Sequence, residues 1–349
     1  MTSHPGQSPT PTVVEPDWST AGVLGAARGA RDDEGPIGTE QLLAALTDEG
    51  STARRALADA RVTKTVMLSL LRDRAGRADA WTSTDDIARS VDIQVALGEH
   101  AAKGVQLTGA ARRAVDTAMA TAVQQRAKKL TTIMLLRAVL QDEQSRAAEA
   151  LRICGTTPAA VIALLDGAEP DPDDGLDLML WKTRDGLLGH RAYRSLGFFK
   201  RWLVISAGVN WSSTPIAWVK MEAEVHVKWL GHDEQRTEHL LLAVLATHEV
   251  AVHYPHLAAE GLAGANLLDT RYAGGRRLHE MGVDYASVWS AIDRDESERF
   301  ALGAEDSRAV GKYLDAAASD SGTGPLVEAL LRDDTRARRL VEALDAVGG

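Results

Sequence analysis

The stretch Ile37-Gly-Thr-Glu-Gln-Leu-Leu-Ala-Ala-Leu46 has a counterpart much later in the chain, Leu230-Gly-His-Asp-Glu-Gln-Arg-Thr-Glu-His-Leu-Leu-Leu242. Each stretch contains a Thr-Glu pair, Thr39-Glu40 or Thr237-Glu238, that is followed by leucines at helical spacing. Threonine is favoured as the N-cap just before a helix, and an acid in the first turn interacts well with the positive end of the helix dipole. Both stretches therefore predict a helix that begins at the Thr-Glu pair. Thr214-Pro215 is expected to start a helix in the same way, with Pro215 at the first helical position.

Two weaker copies bring the number of similar segments to four. The second copy passes from Leu107-Thr-Gly-Ala-Ala-Arg112 to Leu130-Thr-Thr-Ile-Met-Leu-Leu136, and the fourth contains Gly324-Pro-Leu-Val-Glu-Ala-Leu-Leu331. Further helical patterns, such as Ala53–Ala60 and Arg146–Leu151, follow these segments. Recurring segments of this kind predict helical repeats that pack on one another.

The four segments resemble the repeat of the Clp amino-terminal domain, which stands at the front of the ClpA and ClpC unfoldases. Its signature, a helix followed by L-G-H-x-x-I-G-T-E-H-L-L-L-x-L, is similar to Ile37–Leu43 and to Leu230–His232 with Thr237–Leu242. The resemblance covers about residues 18–165 and 214–349. A Clp amino-terminal domain is two repeats packed as a pseudo-twofold helical bundle. The resemblance thus implies an all-α chain with two such domains in tandem.

Length and breaks in composition agree with two domains. At about 150 residues per domain, 349 residues correspond to roughly two. The start is rich in proline and serine, and Asp166–Gly175 is acidic and contains two prolines. We therefore expect a disordered tail (1–17), a first domain (18–166, repeats about 18–75 and 105–166), an acidic linker (167–176), an extra Trp-rich segment (177–213) and a second domain (214–349, repeats about 214–293 and 300–349).

The composition excludes several function classes. Only 5% of residues are aromatic, and Ala, Leu, Arg and Glu dominate, which favours helix over sheet. A net charge of -10 argues against a broad nucleic-acid interface. The sequence has no Gly-x-x-x-x-Gly-Lys-Ser/Thr loop and no Gly-x-Ser-x-Gly, and Cys154 has no adjacent histidine. We expect a protein without an ATPase, a catalytic centre or a cofactor.

The start, Met1 to Val14, lacks a basic-then-apolar signal pattern, which favours a cytoplasmic location. The apolar stretch Trp202–Val219 is interrupted by polar residues such as Asn210 and by Pro215, which argues against a membrane span. Its first part, Trp202–Val209, fits one isolated strand.

The resemblance implies a role for the two acids. In ClpC-type members the glutamate of each Gly-Thr-Glu-His motif is an acidic receptor for phosphoarginine. A carboxylate binds the guanidinium group of such a ligand through paired hydrogen bonds. Carried over here, the candidate ligand-binding residues are Thr39, Glu40, Thr237, Glu238 and His239. Ile133, and Gly324 or Pro325, replace the acid in the weaker copies. Alternatively, Glu40 and Glu238 only stabilise helix starts.

Actinobacterial ClpC domains also bind cyclic-peptide antibiotics on an apolar face between the first helices of the repeats. The corresponding positions here are Val14 or Trp18 and Leu107, where the family usually has Phe in a Phe-Thr-Pro run. An apolar patch at these positions would suit a large apolar ligand. Ordinary core packing is the alternative, above all for Leu107.

Two clusters in the second half support weaker hypotheses. His248-Glu249 with His253 and His256 lacks zinc spacing, because the second histidine of His-Glu-x-x-His would fall at Val252 and Pro255 would break the helix. We expect no metal there and an insertion over His248–Ala273. The aromatic cluster within residues 181–229 is either a partner-binding patch or a local core. Its members are Trp181, Phe198, Phe199, Trp202, Trp211, Trp218 and Trp229.

Together these features predict a non-enzymatic peptide-binding protein. It would sequester cyclic peptides aimed at ClpC or modulate the ClpC protease. The alternative is an adaptor that delivers phosphoarginine-marked or other clients to a Clp protease.

Overall fold

The computed structural model describes residues 14–30, 35–48, 52–75, 77, 79–94, 104–191, 193, 207–258, 260, 267–293, 306–317 and 322–348. Helices dominate these residues, and strand is confined to four segments of two residues each. The all-α prediction is confirmed. Of the predicted strand Trp202–Val209, residues 202–206 lie outside the described residues, and residues 207–209 form no strand.

By its contacts the chain divides into two compact units. The first comprises Met1–Met67 and Arg74–Pro170, and the second comprises Leu68–Asp73 and Asp171–Gly349. The main boundary, between Pro170 and Asp171, falls in the acidic, proline-containing run.

The first unit contains eight described helices and four short strands. The helices are α1 (Trp18–Gly29), α2 (Thr39–Leu46), α3 (Thr52–Asp59), α4 (Lys64–Arg74), α5 (Gly109–Gln124), α6 (Thr132–Val139), α7 (Arg146–Ile153) and α8 (Pro158–Leu165). Residues 68–73 of α4 group with the second unit. The strands are β1 (Glu15–Pro16), β2 (Val91–Asp92), β3 (Gln106–Leu107) and β4 (Lys129–Leu130), and a 3₁₀ turn spans Ile87–Arg89.

The first half of this unit, α1 to α4, and its second half, α5 to α8, contact each other through equivalent segments. β1, which precedes α1, runs parallel to β4, which precedes α6. In the same way Ile37, just before α2, forms a parallel bridge with Leu107 in β3, just before α5. The helices of the two halves also pack against each other, with α1 on α6, α2 on α5, α2 on α7 and α3 on α6. β2 and β3 form an antiparallel pair.

Side-chain caps explain where many of these helices begin. Asp17 accepts a hydrogen bond from the Thr20 amide, and Thr108 accepts one from the Ala111 amide. Such caps satisfy backbone donors that the first helical turn leaves free. Equivalent caps at the starts of α6, α7 and α8 are Thr131, Ser145 and Thr157.

The second unit is built around one long, buried helix. It contains α9 (Trp181–Leu187), α10 (Pro215–Trp229), α11 (Thr237–His253), α12 (Pro255–Ala258), α13 (Leu267–Arg271), α14 (Ala273–Glu280), α15 (Tyr285–Asp293), α16 (Val310–Ala317), α17 (Gly324–Arg332) and α18 (Arg336–Gly348). Two 3₁₀ turns span Leu178–Leu180 and Trp211–Ser213. α11 is apolar almost all round and packs against α9, α10, α12, α14, α15 and α18, whereas α17 packs against α14, α16 and α18.

The predicted insertion over His248–Ala273 begins inside α11, which ends at His253, and Pro255 starts the next helix. A proline at this point cannot continue the preceding helix, because it has no amide hydrogen to donate. Residues 259 and 261–266 of this stretch lie outside the described residues.

In the described part of the chain, no single helix is both long and apolar enough to cross a membrane. Among the described helices, α7 and α8 taken together, a pair bent by 89°, have the necessary length and composition.

Candidate functional site: two buried threonine–glutamate clusters

The first Thr-Glu pair lies in the interior of its unit rather than on its surface. Thr39 and Glu40 are the first two residues of α2, and each is only 1% exposed. The Thr39 amide and hydroxyl both donate to the Asp85 carboxylate, at 2.8 and 2.6 Å. The Thr39 hydroxyl in turn accepts a hydrogen bond of 3.0 Å from the Ala147 amide in α7. Thr39 therefore links the starts of α2 and α7.

Asp85 is the centre of this cluster. Besides Thr39, its buried carboxylate accepts hydrogen bonds from the Thr108 hydroxyl at 2.7 Å and from the Arg146 amide at 3.2 Å. Its own carbonyl accepts from the Ala110 amide. The residue has a φ of 51°, a left-handed conformation that aspartate tolerates better than most residues. One side chain thus joins the starts of α2, α5 and α7.

Arg146 brings a positive charge to Glu40. Its Nη1 lies 3.1 Å from Glu40 Oε1, and its Nε donates to the Ser83 carbonyl at 2.9 Å. The guanidinium also lies over the ring of Trp81, 5.7 Å from the ring centre, and Arg74 lies over the same ring at 4.8 Å. Burial raises the pKa of Glu40 to about 7, and the charge of Asp85 adds to this effect, while Arg146 opposes it.

The second unit repeats the arrangement with different neighbours. The Thr237 amide and hydroxyl donate to Asp306 at 3.1 and 2.6 Å, and the hydroxyl accepts from the Ala337 amide at 3.1 Å. Asp306 also accepts from the Arg336 amide at 2.8 Å. Arg336 Nε lies 2.7 Å from Oε1 of Glu238, which is 1% exposed. Both Thr-Glu pairs therefore meet an aspartate and an arginine from elsewhere in their own unit.

The two clusters share an unsatisfied atom. In each, the glutamate uses Oε1 for its arginine, while Oε2 is buried and has no hydrogen-bond partner. A buried polar atom without a partner is costly, so its presence at both sites requires an explanation.

His239 has a capping role next to Glu238. It is buried, and its Nδ1 accepts a hydrogen bond of 3.0 Å from the Arg236 amide. Since Nδ1 is the acceptor, Nε2 carries the proton and donates to Nδ1 of His232, 2.8 Å away. Burial lowers the pKa of His239 to about 3, and His232 contributes in the same direction.

The weaker copies hold other residues at the corresponding helical position. Glu40 and Glu238 are the second residues of α2 and α11, and Ile133 and Pro325 are the second residues of α6 and α17. Neither replacement provides a carboxylate, so each unit has one acid at this position rather than two.

The three apolar candidates lie in different environments. Val14 is 4% exposed, and Leu107 is fully buried in β3, where it bridges to Ile37. Trp18, the first residue of α1, is 91% exposed. Packing in the core therefore accounts for Val14 and Leu107, while Trp18 presents a large apolar surface to solvent.

Much of the Trp-rich region packs as a local core. Trp218 is buried, and its indole Nε1 donates to the Tyr193 hydroxyl at 2.8 Å. Tyr193 donates to Glu222, which also accepts a hydrogen bond of 2.9 Å from Thr183. Burial raises the pKa of Glu222 to about 6. Phe198, Phe199 and Trp202 lie outside the described residues.

The histidines of the zinc hypothesis do not form a metal centre in the described part of the chain, where no three His, Cys, Asp or Glu side chains converge suitably. Val252, where a second zinc histidine would be needed, is half exposed.

Sequence reasoning missed the partners of the two acids, namely Asp85, Arg146, Asp306 and Arg336. A signal was present, because Ser145-Arg146-Ala147 and Thr335-Arg336-Ala337 share the order of a hydroxyl cap, an arginine and an alanine. Glu222 was also missed, although it lies one turn from Trp218 on the buried face of α10.

No protein-family model matches the chain, and no curated protein matches its sequence.

Proposed function

We propose that this chain is a non-enzymatic peptide-binding protein related to the Clp amino-terminal domains. It sequesters cyclic peptides directed at a ClpC-type unfoldase, or it modulates the ClpC protease. The observation that carries the proposal is the exposure of Trp18 at the first position of α1. Tryptophan is favoured at the centres of binding interfaces, where its large ring leaves water. A solvent-facing indole is therefore suited to an apolar peptide.

The backbone beneath Trp18 is held in place from two sides. The Asp17 side chain accepts from the Thr20 amide at 2.7 Å, and the Asp17 amide donates to the Leu130 carbonyl at 3.0 Å. The Thr20 hydroxyl donates to the same carbonyl. A residue whose backbone is already fixed loses less conformational entropy when a ligand binds.

Charge favours an apolar ligand over an anionic one. The buried glutamates already have arginine partners, and the chain carries a net charge of -10. A phosphorylated ligand would approach an acidic protein against electrostatic repulsion. An uncharged or mostly apolar cyclic peptide meets no such barrier.

The test is a calorimetric titration of the chain with a cyclic-peptide antibiotic of the ClpC-targeting class. We expect wild type to bind and Trp18→Ala to bind at least about tenfold more weakly, as for a hot-spot residue. Leu178→Ala is the matched control, since Leu178 is also exposed but lies in the second unit. Absence of binding by wild type at high micromolar concentration, or equal binding by Trp18→Ala, refutes the proposal.

The second candidate is an adaptor for arginine-phosphorylated clients. The presence of Glu40 and Glu238 at the two Thr-Glu pairs favours it. Such a client would, however, have to displace Arg146 from Glu40 or Arg336 from Glu238. It predicts weaker phosphoarginine binding by Glu40→Ala and Glu238→Ala, measured by the same calorimetry. If neither substitution changes the affinity, this candidate fails.

A further inference from the structure

Two tryptophans of the second unit form an aromatic corner that a lysine contacts. Trp229 is the last residue of α10, Trp289 lies in α15, and both are half-buried. Their ring centres are 4.6 Å apart, and the ring planes are tilted by 55°. The ammonium group of Lys182, from α9, lies over the Trp229 ring, 3.4 Å from the ring centre. A cation in this position is attracted by the partial negative charge of the ring face.

Buried groups hold the two tryptophan rings of the aromatic corner in place. The His226 ring is tilted by only 22° from Trp229, and the Tyr285 ring by 27° from Trp289. The Glu222 carbonyl accepts a hydrogen bond of 2.8 Å from Nδ1 of His226. The other ring nitrogen, Nε2, therefore carries no proton and accepts from the Tyr285 hydroxyl at 3.0 Å. The rings are thus positioned before a ligand arrives, which lowers the entropy that binding costs.

The buried histidine behind the aromatic corner does not repel a cation. Burial lowers the pKa of His226 to about 4, so its ring is uncharged at neutral pH. The attraction of the two tryptophan faces for a positive charge is therefore not opposed by a charge on this ring.

Lys182 is held at the aromatic corner by few other interactions. Its side chain is exposed, and no carboxylate among the described residues forms an ion pair with it. Burial lowers the pKa of Lys182, and the charge of Arg191 acts in the same direction. The surroundings apart from the rings thus disfavour its charge. Because a lysine has a long, flexible stem, Lys182 can move into water and leave the ring face to another cation.

The aromatic corner suits a methylated ammonium group better than a primary one. A primary ammonium group has three hydrogen-bond donors, and ring faces are poor acceptors for them. A trimethylated ammonium group keeps the positive charge, has no such donor, and can place methyl groups against both rings. The geometry therefore favours a ligand that is both cationic and apolar at its surface.

We propose that Trp229 and Trp289 form a binding site for a quaternary ammonium group, which belongs either to a trimethylated lysine side chain or to a small trimethylammonium compound. Lys182 covers this site in the absence of such a ligand. The inference concerns the second unit and uses no residue of the two Thr-Glu clusters. It also stands whether or not a peptide binds at Trp18.

The test is a titration with tetramethylammonium chloride at millimolar concentrations, followed by the indole N–H signals of isotopically labelled tryptophan in nuclear magnetic resonance spectra. Trp229→Phe and Trp289→Phe assign the two signals that should shift. We expect Lys182→Ala to bind at least about fivefold more tightly than wild type, because the internal competitor is gone. Lys220→Ala removes the same charge from an exposed position of α10 and should bind like wild type.

Two comparisons in Lys182→Ala define the ligand. The neutral tert-butyl analogue of choline has the shape of choline without its charge, and it should bind at least about fivefold more weakly than choline. Tighter binding of an acetylated trimethyllysine amide than of choline assigns the site to a methylated side chain. Choline binding of equal or greater strength assigns it to a small compound, and either result supports the site.

Three results overturn the proposal. They are the absence of a shift in both indole signals of Lys182→Ala, equal binding of choline and its neutral analogue, and equal affinity of Lys182→Ala and Lys220→Ala. Trp289→Leu combined with Lys182→Ala should also lose binding, with circular dichroism as the check on folding. If this double variant does not fold, the comparison with the neutral analogue still decides, since it needs only the exposed substitution at Lys182.

Discussion

Asp85→Ala is the most severe test of the first cluster. The substitution removes four hydrogen bonds, from the amide and hydroxyl of Thr39, the Thr108 hydroxyl and the Arg146 amide. A hydrogen bond to a charged group contributes about 1.5–3 kcal/mol. Because Asp85 is 3% exposed, water cannot easily take the place of its carboxylate. We therefore expect the free energy of unfolding to fall by about 4–6 kcal/mol, which is less than the sum of the four hydrogen bonds because they share one carboxylate.

Asp306→Ala gives the matched comparison in the second unit. Asp306 accepts three such hydrogen bonds, from the amide and hydroxyl of Thr237 and from the Arg336 amide, and it is less buried than Asp85. We therefore expect a smaller loss, about 2–4 kcal/mol by the same estimate. Asp85→Asn, which keeps one carbonyl oxygen, should fall between wild type and Asp85→Ala.

Hydrogen exchange measured by mass spectrometry during urea titration distinguishes the two units, because peptides from α2 and α7 report on the first and those from α11 and α18 on the second. Asp85→Ala should lower protection in α2 and α7 and leave α18 unchanged. The reasoning is refuted if Asp85→Ala costs less than about 1 kcal/mol, within the range of ordinary substitutions, or less than Asp306→Ala.

Two further predictions concern pH and packing. Burial raises the pKa of Glu40 from 4.5 to about 7, so the folded state binds a proton on this carboxyl more tightly than the unfolded state does. Proton binding at Glu40 therefore contributes fully to stability below about pH 4.5, and this contribution is lost as the pH rises through 7. The free energy of unfolding of the first unit, measured by urea titration, should fall by up to about 3 kcal/mol between pH 4.5 and 7. Glu40→Gln should show a smaller fall, and an equal fall in this variant would contradict the assignment of the pH dependence to Glu40. Gly274→Ala should destabilise the second unit by about 1–3 kcal/mol in thermal melts, since its Cβ would lie 2.4 Å from the Thr323 carbonyl oxygen. Gly311→Ala, in open space on α16, should instead stabilise it by about 0.4–1 kcal/mol, and equal effects of the two substitutions would show that the packing argument is wrong.

The sequence was sufficient for features that depend on neighbouring residues. Helix starts at the Thr-Glu pairs follow from local preference, and α2 and α11 do begin at Thr39 and Thr237. The expected capping role of the two threonines is wrong, because Gly38 and Arg236 hold the cap positions and the threonines are the first helical residues. Pro215 at the first position of α10 and the break before Pro255 likewise depend on the covalent chemistry of proline alone.

Features that depend on long-range contacts were not predictable in this way. Asp85 lies 46 residues after Thr39, and Arg146 lies 106 residues after Glu40. The chain has 39 lysines and arginines, and the shared order of hydroxyl cap, arginine and alanine around Arg146 and Arg336 does not indicate which acid either arginine meets. The burial of Leu107 and the exposure of Trp18 also depend on which strand or helix lies opposite, which periodicity does not determine.

Burial changes what an acid in a recognition motif can do. On a surface, Glu40 would be free to bind a cationic ligand, but in the interior its charge needs a permanent partner, and Arg146 supplies one. A ligand that targets the acids must therefore break an ion pair and replace all its contacts before it gains affinity. A ligand that targets Trp18 displaces only water. This difference in cost is the physical reason to place apolar peptide binding before recognition of arginine-phosphorylated clients.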